Sequence, residues 1–196
     1  MATRRELLAG AAALLFVRDA LAQGRVEPGM RRREGDVRVE GNDLVTGGDG
    51  LAVFAVGQDA FLVRRNTRVS WFAAGLRIVT GAVLSVFQPG RRKEIRTGTA
   101  VIGIRGTGIY IEAEPQRTYA CTCYGTAELQ PLADPAARET VRTRHHEQPR
   151  YIMAAGAPQL LVRAPVINHT DAELTMLEAL VQRRPPFSQP GSVFKY

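Results

Sequence analysis

The chain has 196 residues, 45% of them hydrophobic, with 26 Lys plus Arg against 19 Asp plus Glu, two Cys and three His. Those figures exclude a disulfide-dense miniprotein, a disordered acidic tail and a polytopic membrane protein, and the length suits one globular domain with an appendage. The formal charge of +7 comes almost wholly from arginine, whose planar fork suits carboxylate and phosphate partners; arginine content also follows genomic base composition, so no nucleic-acid partner is read from it.

Residues 1–22 have the pattern of an export signal. Arg4-Arg5 heads an apolar stretch over 7–17, and Ala20-Leu21-Ala22 is the small-x-small pattern that a signal peptidase cuts. Arg18 before the expected cut after Ala22 suits the twin-arginine route, which moves folded proteins and predicts a periplasmic product. The apolar run is too short to span a bilayer, and no later segment reaches transmembrane length. Residues 23–33 are polar and basic, with Glu27-Pro28-Gly29 and Arg31-Arg32-Arg33, and are expected to form a flexible or edge-lying leader.

From 34 to 132 the pattern predicts an all-β domain, an antiparallel sandwich or roll of short hairpins. Apolar or β-branched runs recur at 36–39, 51–56, 60–63, 68–72, 76–87, 100–104, 108–112, 118–124 and 126–129. Alternation within them, as in Ile109 and Ile111 or Val69 and Trp71, sets one face toward a core. The separators are turn chemistry, among them Gly47-Gly48-Asp49-Gly50, Arg65-Asn66-Thr67 and Gln88-Pro89-Gly90. Such short connections predict antiparallel neighbours throughout.

The remaining 133–196 form a C-terminal extension. A strand is predicted over 140–146, ended by Gln148-Pro149. The one α-helix is predicted over 171–183: Thr170 and Glu173 have capping-box spacing, Leu174, Leu177 and Val181 share a face, and Pro185-Pro186 ends it. The tail carries Phe187, Phe194 and Tyr196 and is too apolar for a free terminus.

In its β region the chain resembles the FecR-domain family. Thr46-Gly47-Gly48-Asp49-Gly50-Leu51-Ala52-Val53 is similar to the family's opening, and 59–69 to its second hairpin. Gly81-Ala82-Val83-Leu84-Ser85-Val86-Phe87 resembles a further strand, and Ile104-Arg105-Gly106-Thr107-Gly108-Ile109-Tyr110-Ile111 the most diagnostic stretch. The resemblance covers 34–131 and implies a periplasmic all-β module of the kind that relays a transporter's state to a sigma factor. It implies sensing and protein binding rather than catalysis. A signal peptide stands where such a regulator carries its cytoplasmic and membrane-spanning segments, so direct contact with a sigma factor is not expected. Arg105, Gly106 and Thr107, the motif's centre, suit a tight strand reversal with positive φ at glycine. No Lys-Ser/Thr and helix follow, as a phosphate loop requires.

The candidate chemistry lies beyond the strongest resemblance. Cys121 and Cys123 at i and i+2 of a strand project from one face, and His145-His146 follows in another predicted strand. Two thiolates with imidazoles suit a zinc or iron ion, a soft copper site, an iron–sulfur centre or non-covalent haem; no Cys-x-x-Cys-His is present for covalent haem. Only one of His145 and His146 can join the cysteines from a regular strand, and His169 is the candidate for the missing ligand. A reactive or disulfide-forming Cys pair and plain buried thiols remain open beside the metal. A Cys-His-carboxylate nucleophile using Glu147 lacks a nucleophile elbow or helix N-terminus around either cysteine. The expectation is a ligand-binding or sensing module with a metal or redox site at Cys121, Cys123, His145, His146 and possible ligand His169. Its expected partner is a periplasmic or outer-membrane protein or a cell-envelope polymer. The alternatives are a structural interaction module working through Arg64-Arg65, Arg91-Arg92 and Arg183-Arg184, and a small redox protein or enzyme.

Overall fold

The computed structural model describes residues 29–188. The export signal at 1–22, the first part of the leader and the tail residues Phe194 and Tyr196 lie outside the described residues. Thirteen strands precede one helix: β1 (Gly29–Glu34), β2 (Val37–Glu40), β3 (Asp43–Thr46), β4 (Leu51–Val56), β5 (Asp59–Val63), β6 (Arg68–Phe72), β7 (Gly75–Val86), β8 (Arg92–Arg96), β9 (Ala100–Ala113), β10 (Arg117–Pro131), β11 (Glu139–Thr143), β12 (Arg150–Met153), β13 (Leu161–Arg163) and α1 (Asp171–Leu180), with a 3-10 turn at Pro186–Ser188. The class is all-β with a C-terminal helix, and no helix among the described residues is long and apolar enough to cross a membrane.

All strands belong to one hydrogen-bonded sheet, ordered β1-β4-β5-β7-β8-β9-β10-β12-β13, with β2, β3 and β6 joined through β7 and β11 paired to β10. The long strands serve two neighbourhoods each. The first half of β7 pairs β6 and its second half pairs β5 and β9, so the sheet rolls over on itself. Its inner face holds Leu44, Val69, Trp71, Ile95, Ile102, Ile104, Ile109, Ile111 and Leu129 in one apolar cluster. The outer face is covered by α1, whose Leu174 and Leu177, with Val181 just after its end, pack with Val53, Leu62, Leu84, Tyr110 and Tyr119.

Several sequence expectations are corrected here. The runs 100–104 and 108–112 are one strand, so Arg105, Gly106 and Thr107 form a bulge in β9 rather than a reversal. Gly106 has φ of 58°, and the bulge moves the inward set from Ala100, Ile102 and Ile104 to Ile109, Ile111 and Ala113, keeping apolar residues inside across a change of parity. A Cβ on Gly106 would lie 2.8 Å from Pro89 Cα. The runs 118–124 and 126–129 likewise join into β10, with Gly125 at φ 93° packed against the first bulge. Thr107 fastens the two: its hydroxyl donates to Thr126 O at 2.8 Å and accepts from Thr126 N at 3.2 Å.

Strand β8 was not expected, because four of its five residues are charged and only Ile95 is buried. It runs parallel to β7 through Gly75↔Glu94 and Leu76↔Ile95, against the antiparallel expectation. The close of the leader, 29–33, forms with Glu34 an edge strand on β4, the edge-lying form rather than the flexible one. The strand expected over 140–146 ends at Thr143, and the helix expected to 183 ends at Leu180. Gln182 there takes φ of 59°, the left-handed conformation that commonly closes a helix.

Candidate metal centre

Cys121 and Cys123 lie on the outer face of β10, beneath the start of α1. The pairing of β10 with β9 passes from Thr122↔Ile109 to Tyr124↔Gly108, leaving Cys123 at an irregularity in the ladder. Both cysteines are free thiols and have no solvent exposure. They belong to the outer cluster with Tyr110, Tyr119 and Tyr124.

Beyond Thr143 the chain bends instead of continuing as a strand, and the bend decides which histidine reaches the sulfurs. His146 N donates to Cys123 O at 2.9 Å, and His146 takes φ of 53°. The departure from β geometry removes the strict alternation of neighbouring side chains. His146 Nδ1 lies 3.4 Å from Cys121 Sγ. His145 instead turns to Asp171, its Nε2 donating to the carboxylate oxygens at 2.9 and 2.8 Å. Of the two, His146 joins the cysteines and His145 buttresses Asp171.

His169 completes the group from the other side. Asn168 at φ 56° turns the chain into the helix, where Thr170 and Glu173 form the capping box: Glu173 N donates to Thr170 Oγ1 at 3.3 Å, and Thr170 N to Glu173 Oε2 at 2.9 Å. This cap fixes His169 just ahead of α1, stacked on Tyr110 with centroids 4.6 Å apart. One ligand atom each from Cys121, Cys123, His146 and His169 lies within 4.8 Å of the other three.

The outer hydrogen bonds set the tautomers. His169 Nδ1 faces Ile167 O at 2.6 Å and must donate to it, and His146 Nε2 faces Asp171 Oδ1 at 3.1 Å and must donate to that carboxylate. In their neutral forms the two rings therefore turn bare nitrogens, His146 Nδ1 and His169 Nε2, toward each other at 3.0 Å. Two facing lone pairs repel unless a proton or a cation lies between them. The charges are arranged to match. The hydrogen bond from Cys123, with those that His146 and His169 make when protonated, holds the Cys121 thiol well below its ordinary pKa, against the opposing effect of burial. Burial pushes Cys123 up, as does its hydrogen bond to Cys121. His146 is raised: burial opposes, and Cys121 and Asp171 together prevail. Asp171 is lowered, its partial burial outweighed by hydrogen bonds from His145 and His146.

Asp171 is the member of the site that residue patterns missed. As the first residue of a capped helix it has a sufficient local role as an acid at the positive end of the helix dipole, which hides its second partners. Glu147, the carboxylate considered in its place, accepts from Arg144 N at 3.1 Å within its own bend. Cys121, His146 and Asp171 do stand in the order of nucleophile, imidazole and carboxylate. Full burial of Cys121 keeps a substrate from its sulfur. Two of the three basic pairs are partly used internally: Arg64 Nη2 donates to Asn168 O at 2.8 Å and pairs with Glu173, and Arg183 Nε pairs with Glu178 at 2.5 Å.

No protein-family model matches the chain, and no curated protein matches it. Among solved structures, two crystal structures of a putative anti-sigma factor from Parabacteroides distasonis resemble it, with TM-scores of 0.50 and 0.49 at 11% identity. Each alignment covers 61% of this chain and 57% of the other, so the chain spans a little over half the length of those structures. The likeness is one of fold alone.

Proposed function

We propose that this protein is an exported sensing module of FecR type whose outer sheet face binds one divalent metal ion, zinc by preference, through Cys121, Cys123, His146 and His169. The observation that carries the reading is the convergence of His146 Nδ1 and His169 Nε2, 3.0 Å apart, with His146 Nδ1 also 3.4 Å from Cys121 Sγ. Zinc–sulfur and zinc–nitrogen bonds at a tetrahedral angle place S and N about 3.6 Å apart and two N about 3.4 Å apart. The separations of 3.4 Å for Cys121 Sγ to His146 Nδ1 and 3.0 Å for the two imidazole nitrogens need only a small expansion. Two thiolates and two neutral imidazoles neutralise a divalent ion, which suits a buried site. Donation from His146 to Asp171 and from His169 to a backbone carbonyl is the arrangement that orients metal-bound histidines. Four protein ligands leave no open position, which favours a structural or sensing role over catalysis. The compactness of the group favours a single ion over an iron–sulfur centre or haem.

Such a site would tie together β10, the bend after β11 and the lead-in to α1, so occupancy would report itself through the seating of the helix. Twin-arginine export of a folded chain suits a protein that loads its ion before crossing the membrane. The expected partner is then a periplasmic or outer-membrane protein, with a cell-envelope polymer as the alternative. The fold likeness to a described anti-sigma factor supports a regulatory module and nothing finer.

Full-length protein purified reduced and without oxygen should retain about one zinc per chain, with Cys121→Ser and His169→Ala losing it while keeping native circular dichroism. Folded, reduced protein that takes up no zinc from a buffered solution would sink the site. For export, Arg4→Lys with Arg5→Lys should hold the uncut precursor in the cytoplasm; undiminished periplasmic product would contradict the route.

A further inference from the structure

At one end of the rolled sheet a cavity adjoins the apolar interior. Phe54 stacks on Phe61 with centroids 5.0 Å apart and meets Trp71 at 4.9 Å, and Phe61 meets Phe87 edge-on at 5.7 Å. This aromatic layer ends in a cavity of about 380 Å³, whose wall includes Phe61, Trp71, Phe72, Leu76 and Phe87. The size and aromatic wall are those of small-molecule sites, which often occupy the mouths of rolled or closed sheets.

The rim supplies the polar selection. Asp59 is buried and holds the loop after β7, its Oδ1 accepting from Gln88 N at 2.7 Å, while its Oδ2 pairs with Lys93 at 3.2 Å. That carboxylate is thereby committed to the loop and to one lysine. Lys93 is 20% exposed and has ammonium donors beyond the one facing Asp59. Arg91 is exposed, lines the same cavity and makes no ion pair among the described residues. The mouth therefore offers an aromatic slot with a net positive rim.

We propose that this cavity is a second binding site, independent of the metal centre, for a small aromatic carboxylate: the ring enters against Trp71, Phe72 and Phe87, and the carboxylate meets Arg91 and Lys93. Burying the ring removes apolar surface from water, and the guanidinium matches a carboxylate with two parallel hydrogen bonds. A neutral ligand of the same shape forgoes the charge-assisted contacts, and a cationic one meets the rim with repulsion.

Trp71 is the single tryptophan of the chain, so its fluorescence reads occupancy directly. The test titrates the full chain with 3-phenylpropionate, 3-phenylpropanamide and 3-phenylpropylamine. The carboxylate should shift Trp71 emission in a saturable way and bind roughly 10-fold more tightly than the amide, the yield of one charged hydrogen bond, with the amine weakest. Arg91→Ala, at the exposed rim, should remove most of the preference for the carboxylate over the amide and leave amide binding unchanged. Zinc removal should alter neither. Emission unchanged up to about 1 mM carboxylate, equal affinity for the three ligands, or an unaltered preference in Arg91→Ala would each overturn the proposal.

Discussion

The inner face of the rolled sheet is filled by Leu44, Phe54, Val69, Ile95, Ile102, Ile104, Ile109 and Leu129, and its apolar cluster holds no Cys or Tyr. The outer face beneath α1 gathers Tyr110, Tyr119, Tyr124, Cys121 and Cys123 in its cluster, with His169 and Glu178 buried beside them. The two faces belong to the same strands and are separated by single residues, as Ile109 and Tyr110 or Ala120 and Cys121 show. A face dominated by hydrocarbon, with a few hydrogen-bonded threonines such as Thr118, is sufficient to hold this sheet together. Buried thiols, imidazoles and a carboxylate are not needed for that purpose and are costly unless every member is satisfied. Their concentration on one face argues that the face does something besides folding.

The comparison can be broken from either side. The largest effect expected is on the outer face: at free zinc 1,000 times the dissociation constant, binding to the folded state alone adds about 4 kcal/mol of stability. That increment should vanish on chelation and be absent from His169→Ala, as measured by urea unfolding with and without zinc. On the inner face, Ile104→Ala should cost about 3 kcal/mol by opening a cavity, and should leave the zinc increment intact. A variant that lost both would show the two faces to be energetically inseparable.

Smaller effects sharpen the outer face. Asp171→Asn keeps an acceptor near His146 and His145 but removes the charge, and should weaken zinc 10- to 100-fold without undoing the helix, which is read by competition with a chromophoric chelator. Tyr124 OH donates to Glu178, which also holds Arg183; Tyr124→Phe should cost about 1–2 kcal/mol through the far end of α1 while zinc affinity stays within about twofold. Smallest is the helix cap. Thr170→Ala, which removes the hydroxyl that accepts from Glu173 N, should cost about 1 kcal/mol and lower zinc affinity only through its neighbour His169.

The legible parts of the molecule follow the same division. Alternation of apolar residues announces the inner face, and the glycine and threonine positions of the FecR-like stretches are its fastenings. Thr46 Oγ1 donates to Arg64 O at 2.5 Å and accepts from Thr67 N at 2.9 Å, and Thr67 Oγ1 accepts from Ala82 N at 2.9 Å. Each ties one turn to another. What the pattern hid was continuity, because Gly106 and Gly125 look like chain reversals and are bulges within β9 and β10. Strand β8 was hidden because backbone pairing, not apolar content, makes it a strand. On the outer face the cysteines and histidines were legible as one candidate group, and what stayed hidden was which histidine of the pair meets the sulfurs and that Asp171 joins them. A bend after Thr143, a left-handed Asn168 and a helix cap bring His146, His169 and Asp171 together from separate parts of the chain, and no local spacing encodes that meeting.

Cobalt in place of zinc tests the central claim most directly. Reduced protein titrated with Co²⁺ without oxygen should saturate at one ion per chain, with the intense visible bands of a tetrahedral ion and a near-ultraviolet thiolate charge-transfer band. Cys121→Ser should halve the charge-transfer intensity or abolish binding, and stoichiometric zinc should bleach the spectrum. A weak octahedral spectrum, indifferent to Cys121→Ser and His169→Ala, would contradict the metal centre.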